Sequence, residues 1–145
     1  MASAPLSPHE RPRDRPVVLV VDDDDGLRDA LHLTLDEEYA VVDAAHGRTA
    51  LSMVRSERVD LVLLDILMPD VDGLEILQEL KALEPDLPVI MLTGHDDIAS
   101  IDRAYQLGAN SFATKPVNWR QLSYHIRYVV RTSRPQGPQQ GSARY

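Results

Sequence analysis

The sequence predicts one α/β domain: a doubly wound, five-stranded parallel sheet with helices on both faces. From Val17 onward, five short apolar runs alternate with amphipathic stretches, the pattern of successive βα units. Two of those runs end in carboxylate, Val17–Val21 in Asp22 to Asp25 and Leu61–Leu64 in Asp65. With 145 residues and 43% hydrophobic content, the chain can build one core but not two comfortable ones.

Residues 1–16 carry prolines at 5, 8, 12 and 16 and little apolar surface, so they read as a flexible leader. Strands are expected near 17–21, 40–44, 60–64, 88–92 and 111–114. The first helix follows from Leu27, Ala30, Leu31, Thr34 and Leu35, spaced as a single stripe facing a sheet, with Asp25 as its N-cap. Helices near 47–57, 73–83 and 96–107 follow the same logic, and Asp72 with Glu75 three positions on suits the start of the third. The last helix, 118–133, places Trp119, Leu122, Ile126, Val129 and Val130 on one face, ready to dock on the sheet. The domain thus spans 17–134, and the Gln/Gly/Pro-rich stretch 135–145 is expected to be a disordered tail.

Charge divides sharply along the chain. Residues 17–118 hold seven basic against 21 acidic side chains, a net −14, whereas residues 119–145 carry +5. An acidic domain argues against nucleic-acid binding through its main face, and the basic end either neutralises it or meets an acidic partner. There is no cysteine, which excludes disulfides and thiolate metal sites. No secretory apolar region and no run of about 20 apolar residues is present, so a soluble, cytoplasmic protein without membrane contact is expected.

In a doubly wound sheet, ligands bind beyond the C-terminal strand ends, near the point where the winding reverses. Asp22, Asp23, Asp65, Thr93 and Lys115 all fall at or just after such ends, on four strands. Carboxylates gathered there repel one another and are costly to desolvate, so they suit a hard cation, Mg²⁺ best, with Mn²⁺ as a substitute. A hydroxyl and an ammonium facing an aspartate are the donors that new phosphoryl oxygens need, and the carboxylate can itself be the nucleophile.

The pieces Val20-Val21-Asp22-Asp23, Leu64-Asp65-Ile66-Leu67-Met68-Pro69 with Asp72-Gly73, Leu92-Thr93-Gly94, and Gly108-Ala109 before Phe112-Ala113-Thr114-Lys115-Pro116 resemble response-regulator receiver domains of two-component signalling, over roughly residues 17–133. The resemblance implies a flavodoxin-like strand order, 2-1-3-4-5. It implies Asp65 as phosphoacceptor from the phosphohistidine of a histidine kinase or histidine phosphotransfer protein. Asp22, Asp23, Asp65 and the backbone carbonyl of Leu67 would hold Mg²⁺, and Thr93 and Lys115 the phosphoryl oxygens. Thr93 and Phe112 would form the switch, and Leu67 and His95 would tune loss of the phosphoryl group. Phe112 and the Arg/Tyr-rich last helix converge on the face of the fourth helix, fifth strand and fifth helix, which is the expected partner surface and a candidate homodimer interface, in either a single-domain regulator or part of a longer one. No turnover of an external substrate is expected.

Two other classes stay open. A haloacid-dehalogenase-like phosphatase would use Asp22 as nucleophile and Asp24 as acid and base, but Gly26 stands where that family usually carries Thr or Val, and no acidic pair follows Lys115. A receiver-shaped interaction module that is never phosphorylated would not need the full residue set.

Overall fold

The computed structural model describes residues 15–68, 71–94 and 98–133. Five parallel strands are present: β1 (Val17–Val21), β2 (Ala40–Ala44), β3 (Leu61–Asp65), β4 (Val89–Thr93) and β5 (Ser111–Thr114). They alternate with α1 (Asp25–Leu35), α2 (Gly47–Ser56), α3 (Gly73–Leu83), α4 (Ile98–Gln106) and α5 (Trp119–Ser133). The sheet order is β2-β1-β3-β4-β5, as expected, so the winding reverses at β1. Two strands lie one residue further on than expected, which brings Asp65 and Thr93 into the ends of β3 and β4.

The apolar runs are continuous because the inner strands are covered on both faces. Leu19, Val21, Val62, Leu64, Val89 and Met91 pack against Leu51 of α2, Ile76, Leu77 and Leu80 of α3, and Ala104 of α4. The alternate residues Val18, Val20, Leu61, Leu63, Ile90 and Leu92 pack against Leu31 and Leu35 of α1 and Leu122, Ile126, Val129 and Val130 of α5. On α1 the stripe is narrower than expected, with Thr34 exposed, and Trp119 at the start of α5 stays 36% exposed.

The cap of α1 is one residue earlier than expected. Asp24 adopts extended backbone and its Oδ1 accepts from the N–H groups of Gly26 and Leu27, while Asp25 is already helical. Asp72 caps α3, accepting from Leu74 N–H at 2.9 Å. After α4 the chain reverses through Gly108, whose φ of +109° is cheap only for glycine, and Ala109 N–H returns to the carbonyl of Ala104 at 2.9 Å. The Lys115–Pro116 peptide bond is cis.

Of the stretch expected to be a flexible leader, only Arg15 and Pro16 fall among the described residues. Arg15 donates to the carbonyls of Asp36 and Tyr39, and the Pro16 carbonyl accepts from Ala40 N–H at 2.9 Å. The stretch expected to be a disordered tail, 135–145, lies outside the described residues. Among those residues no helix is long and apolar enough to cross a membrane.

Candidate functional site

Register fixes what meets at the C-terminal edge. Val21 is opposite Leu64, so Asp22, the next residue of one strand, comes level with Asp65 of the other. β4 follows alongside, with Leu92 opposite Asp65, and β5 brings Thr114 opposite Thr93, immediately before Lys115. Carboxylate oxygens of Asp22, Asp23 and Asp65 all lie within 4.8 Å of one another. Asp22 and Asp65 are buried and Asp23 is exposed, so the cluster reaches solvent at Asp23.

Lys115 ties the cluster together. Its Nζ lies 2.9 Å from Asp22 Oδ2 and 3.3 Å from Asp65 Oδ2. Asp22 Oδ2 is fully buried and takes no well-aligned hydrogen bond, so its contact with the ammonium is an ion pair. Burial draws the Lys115 ammonium towards neutrality, but the two carboxylates outweigh it and raise its pKa. Asp65 goes the other way for a carboxylate: burial and the neighbouring Asp22 charge push it up to about 6, against the opposing pull of Lys115 and of Leu67 N–H. That N–H donates to Asp65 Oδ1 at 3.1 Å. One ammonium therefore serves two buried carboxylates, which leaves negative charge uncompensated.

An octahedral cation at about 2.0–2.1 Å needs oxygens about 3–4 Å apart, and the three carboxylates gather oxygens within 4.8 Å of one another. The donor set, all oxygen with Asp23 open to solvent, suits Mg²⁺ rather than a softer metal.

Thr93 is buried at the end of β4, where its hydroxyl donates to the Gly94 carbonyl at 3.3 Å. Leu67 forms an isolated antiparallel bridge with Asp72, and its side chain stands 70% exposed. Phe112 is half-buried and meets Tyr105 of α4 edge-on, with ring centroids 6.1 Å apart. His95 lies outside the described residues.

Gly73 lets α3 start against this loop. A Cβ there would stand 2.3 Å from the Asp65 carbonyl and 2.7 Å from Ile66 Cα, so the backbone can approach only without a side chain. The sequence reading missed Arg28, which reaches the Asp22 carbonyl at 2.7 Å and the carboxylates of Asp25 and Asp43. Its spacing of three from Asp25 was a visible signal, whereas Asp43 on β2 was not.

The fold and site define a parallel α/β sheet with an acidic, cation-competent cluster at its switch point. The response regulator receiver domain model matches residues 18–127, and the chain belongs to that family. Transcriptional regulatory protein AfsQ1 of Streptomyces coelicolor is 36% identical over 117 residues, which are 80% of this chain and 52% of that protein. Response regulator MprA of Mycolicibacterium vanbaalenii is 36% identical over 119 residues, 81% of this chain and 52% of that protein. The chain thus spans about half the length of the curated relatives it matches. Among solved structures, a CheY-like receiver domain from Methanospirillum hungatei superposes with TM-score 0.80 at 31% identity, covering 85% of this chain and 99% of that one. The receiver domain of NtrX from Brucella abortus gives 0.75 at 34% identity, covering 79% and 98%.

Proposed function

We propose that this chain is the phosphoacceptor module of a two-component or phosphorelay pathway, with Asp65 taking a phosphoryl group from a histidine kinase or histidine phosphotransfer protein. The observation that carries the reading is the gathering of Asp22, Asp23 and Asp65 within 4.8 Å, with Lys115 3.3 Å from Asp65. An Asp65 oxygen attacks phosphorus, the phosphorus–nitrogen bond breaks, and the histidine imidazole leaves with the electron pair. Lys115 is already within reach of the oxygen that attacks and turns its charge to the new phosphoryl oxygens. Thr93 serves as the second donor, by giving up its weak contact with the Gly94 carbonyl.

Asp22, Asp23, Asp65 and the Leu67 carbonyl would hold Mg²⁺, or Mn²⁺ in its place. When bound, the ion supplies positive charge against the phosphoryl oxygens. Movement of Thr93 is passed to Phe112, whose contact with Tyr105 links β5 to α4. The readout is the α4-β5-α5 face, which a partner, a second copy or an output domain contacts. The chemistry stops at one phosphoryl group per chain, without turnover of an external substrate.

Acetyl phosphate with Mg²⁺, followed by intact-mass measurement, tests this. Wild type gains one phosphoryl group and Asp65→Asn gains none. Turnover of a small phosphate ester many times over would favour a phosphatase; no mass gain in the wild type would favour an interaction module.

A further inference from the structure

Four successive aspartates, Asp22 to Asp25, occupy the turn from β1 into α1, and among the described residues one guanidinium, that of Arg28, is anchored among them. Arg28 sits one turn into α1 with its side chain 14% exposed. One arm donates to the backbone carbonyl of Asp22 at 2.7 Å. The other arm contacts the Asp25 carboxylate, and Nε donates to Asp43 Oδ2 at 3.3 Å. Asp43 belongs to the adjacent strand β2 and is held from a second side by His32 Nε2, 3.4 Å from the same oxygen. The guanidinium therefore joins three points: the peptide of one candidate metal ligand, the start of α1 and the neighbouring strand.

We propose that Arg28 is a positioning residue for the cation site, fixing the peptide between Asp22 and Asp23 so that both carboxylates face Asp65. The inference rests on the phosphoacceptor reading above. A planar fork can hold a carbonyl and two carboxylates at once, whereas a lysine ammonium offers a point charge on a flexible stem. The other hydrogen bonds do not replace it: Asp22 N–H reaches the Ala44 carbonyl of β2 at 3.2 Å and so fixes the peptide before Asp22, while Asp24 N–H to Asp22 Oδ1 at 3.0 Å and the Asp24 cap bind within the turn, which leaves Arg28 as the contact on the Asp22 carbonyl.

Charge alone and positioning predict opposite signs. Arg28 is a cation close to a site for another cation, so if it acted only as a charge, its removal would tighten Mg²⁺ binding. If it positions the loop, removal weakens binding, and outer-shell groups of this kind are typically worth about tenfold or more in metal affinity.

The experiment is calorimetric titration of the full chain with MgCl₂, without phosphodonor. Arg28→Gln is expected to bind about tenfold more weakly than wild type, and Arg28→Lys, which keeps the charge, to lose a similar factor. Arg127→Gln, which breaks the exposed Arg127–Glu38 pair of 2.7 Å, should leave the affinity unchanged and reports the effect of losing any arginine. Unchanged or tighter binding in Arg28→Gln, or a loss equal to that of Arg127→Gln, overturns the inference. Should Arg28→Gln fail to melt cooperatively in EDTA, Arg28→Lys decides, and wild-type affinity there overturns it. A wild type that shows no saturable Mg²⁺ binding removes the phosphoacceptor reading itself, which is a different result.

Discussion

At the C-terminal edge of the sheet, Lys115 stands among carboxylates, 2.9 Å from Asp22 and 3.3 Å from Asp65. At the N-terminal edge the chain's other lysine, Lys81, donates to the Leu87 carbonyl at 2.7 Å and to Asn110 Oδ1 at 3.1 Å. The same Asn110 oxygen accepts from Val89 N–H at 3.0 Å, and Asp60 Oδ2 accepts from Val17 N–H at 2.8 Å. Polar side chains at the N-terminal edge thus saturate loose backbone groups where strands begin. Those at the C-terminal edge face one another, so that a buried carboxylate keeps its proton up to about pH 6. One edge spends its charges on stability; the other holds them in a costly arrangement that a ligand can relieve.

The largest effect expected at the C-terminal edge is steric. Gly73→Ala forces a methyl into the Asp65 carbonyl and Ile66, both backbone and unable to yield like a side chain. Urea unfolding should show a loss of about 3 kcal/mol, at the upper end of ordinary overpacking. An unchanged midpoint would mean that α3 can shift and that the edge is less tightly built than the distances imply.

Next is the stabilising lysine. Lys81→Met keeps the stem but removes the ammonium, leaving the Leu87 carbonyl and Asn110 short of a donor. A loss of about 2 kcal/mol is expected, in the range for hydrogen bonds from charged groups. Phosphorylation by acetyl phosphate should persist. If it is lost along with stability, the two edges are not separable.

Asp65→Asn should reverse the sign. In the ion-free chain, Asp65 titrates at about 6 when folded against 3.8 for an ordinary aspartate, so the folded state holds the additional proton between those values. Stability therefore falls as pH rises from about 4 to about 6 and stays lower above that. Asparagine removes the penalty. At about pH 7.5 in EDTA, Asp65→Asn should be more stable by about 1–3 kcal/mol, and the advantage should vanish near pH 4. Equal stability at both values would show that Lys115 already compensates Asp65 in full.

The contrast between the edges also explains what the sequence disclosed. The strands were legible because the doubly covered ones read as unbroken apolar runs, their order came only with the family resemblance, and Asp22, Asp23, Asp65 and Lys115 were legible because strand ends carry them. Four identical aspartates could not say which one caps α1, and the cap is Asp24 rather than Asp25. Lys81 was invisible for a different reason. Its partners lie 6 and 29 residues away, on loops that only the folded sheet brings beneath α3. Arg28 combined both cases, with Asp25 nearby in sequence and Asp43 reached only across the α1–β2 contact.

The smallest expected effect concerns the side chain beside Asp65, the proposed phosphoacceptor. Leu67 stands 70% exposed, two residues after Asp65, while its own N–H is committed to Asp65 Oδ1. An aliphatic side chain there cannot orient a water towards phosphorus, so the phosphorylated form should lose its phosphoryl group slowly. Leu67→Asn supplies an amide that can hold such a water and should shorten the lifetime about threefold, which is a barrier change of roughly 0.6 kcal/mol. The decay of the phosphorylated mass after removal of acetyl phosphate measures it. Because the backbone contact with Asp65 is unaltered by the substitution, a change in lifetime without a change in stability would assign the effect to water rather than to the loop. An unchanged or longer lifetime would mean that access to the phosphoryl group is controlled elsewhere on the C-terminal edge, with Asp23, the exposed member of the acidic cluster, as the next position to vary.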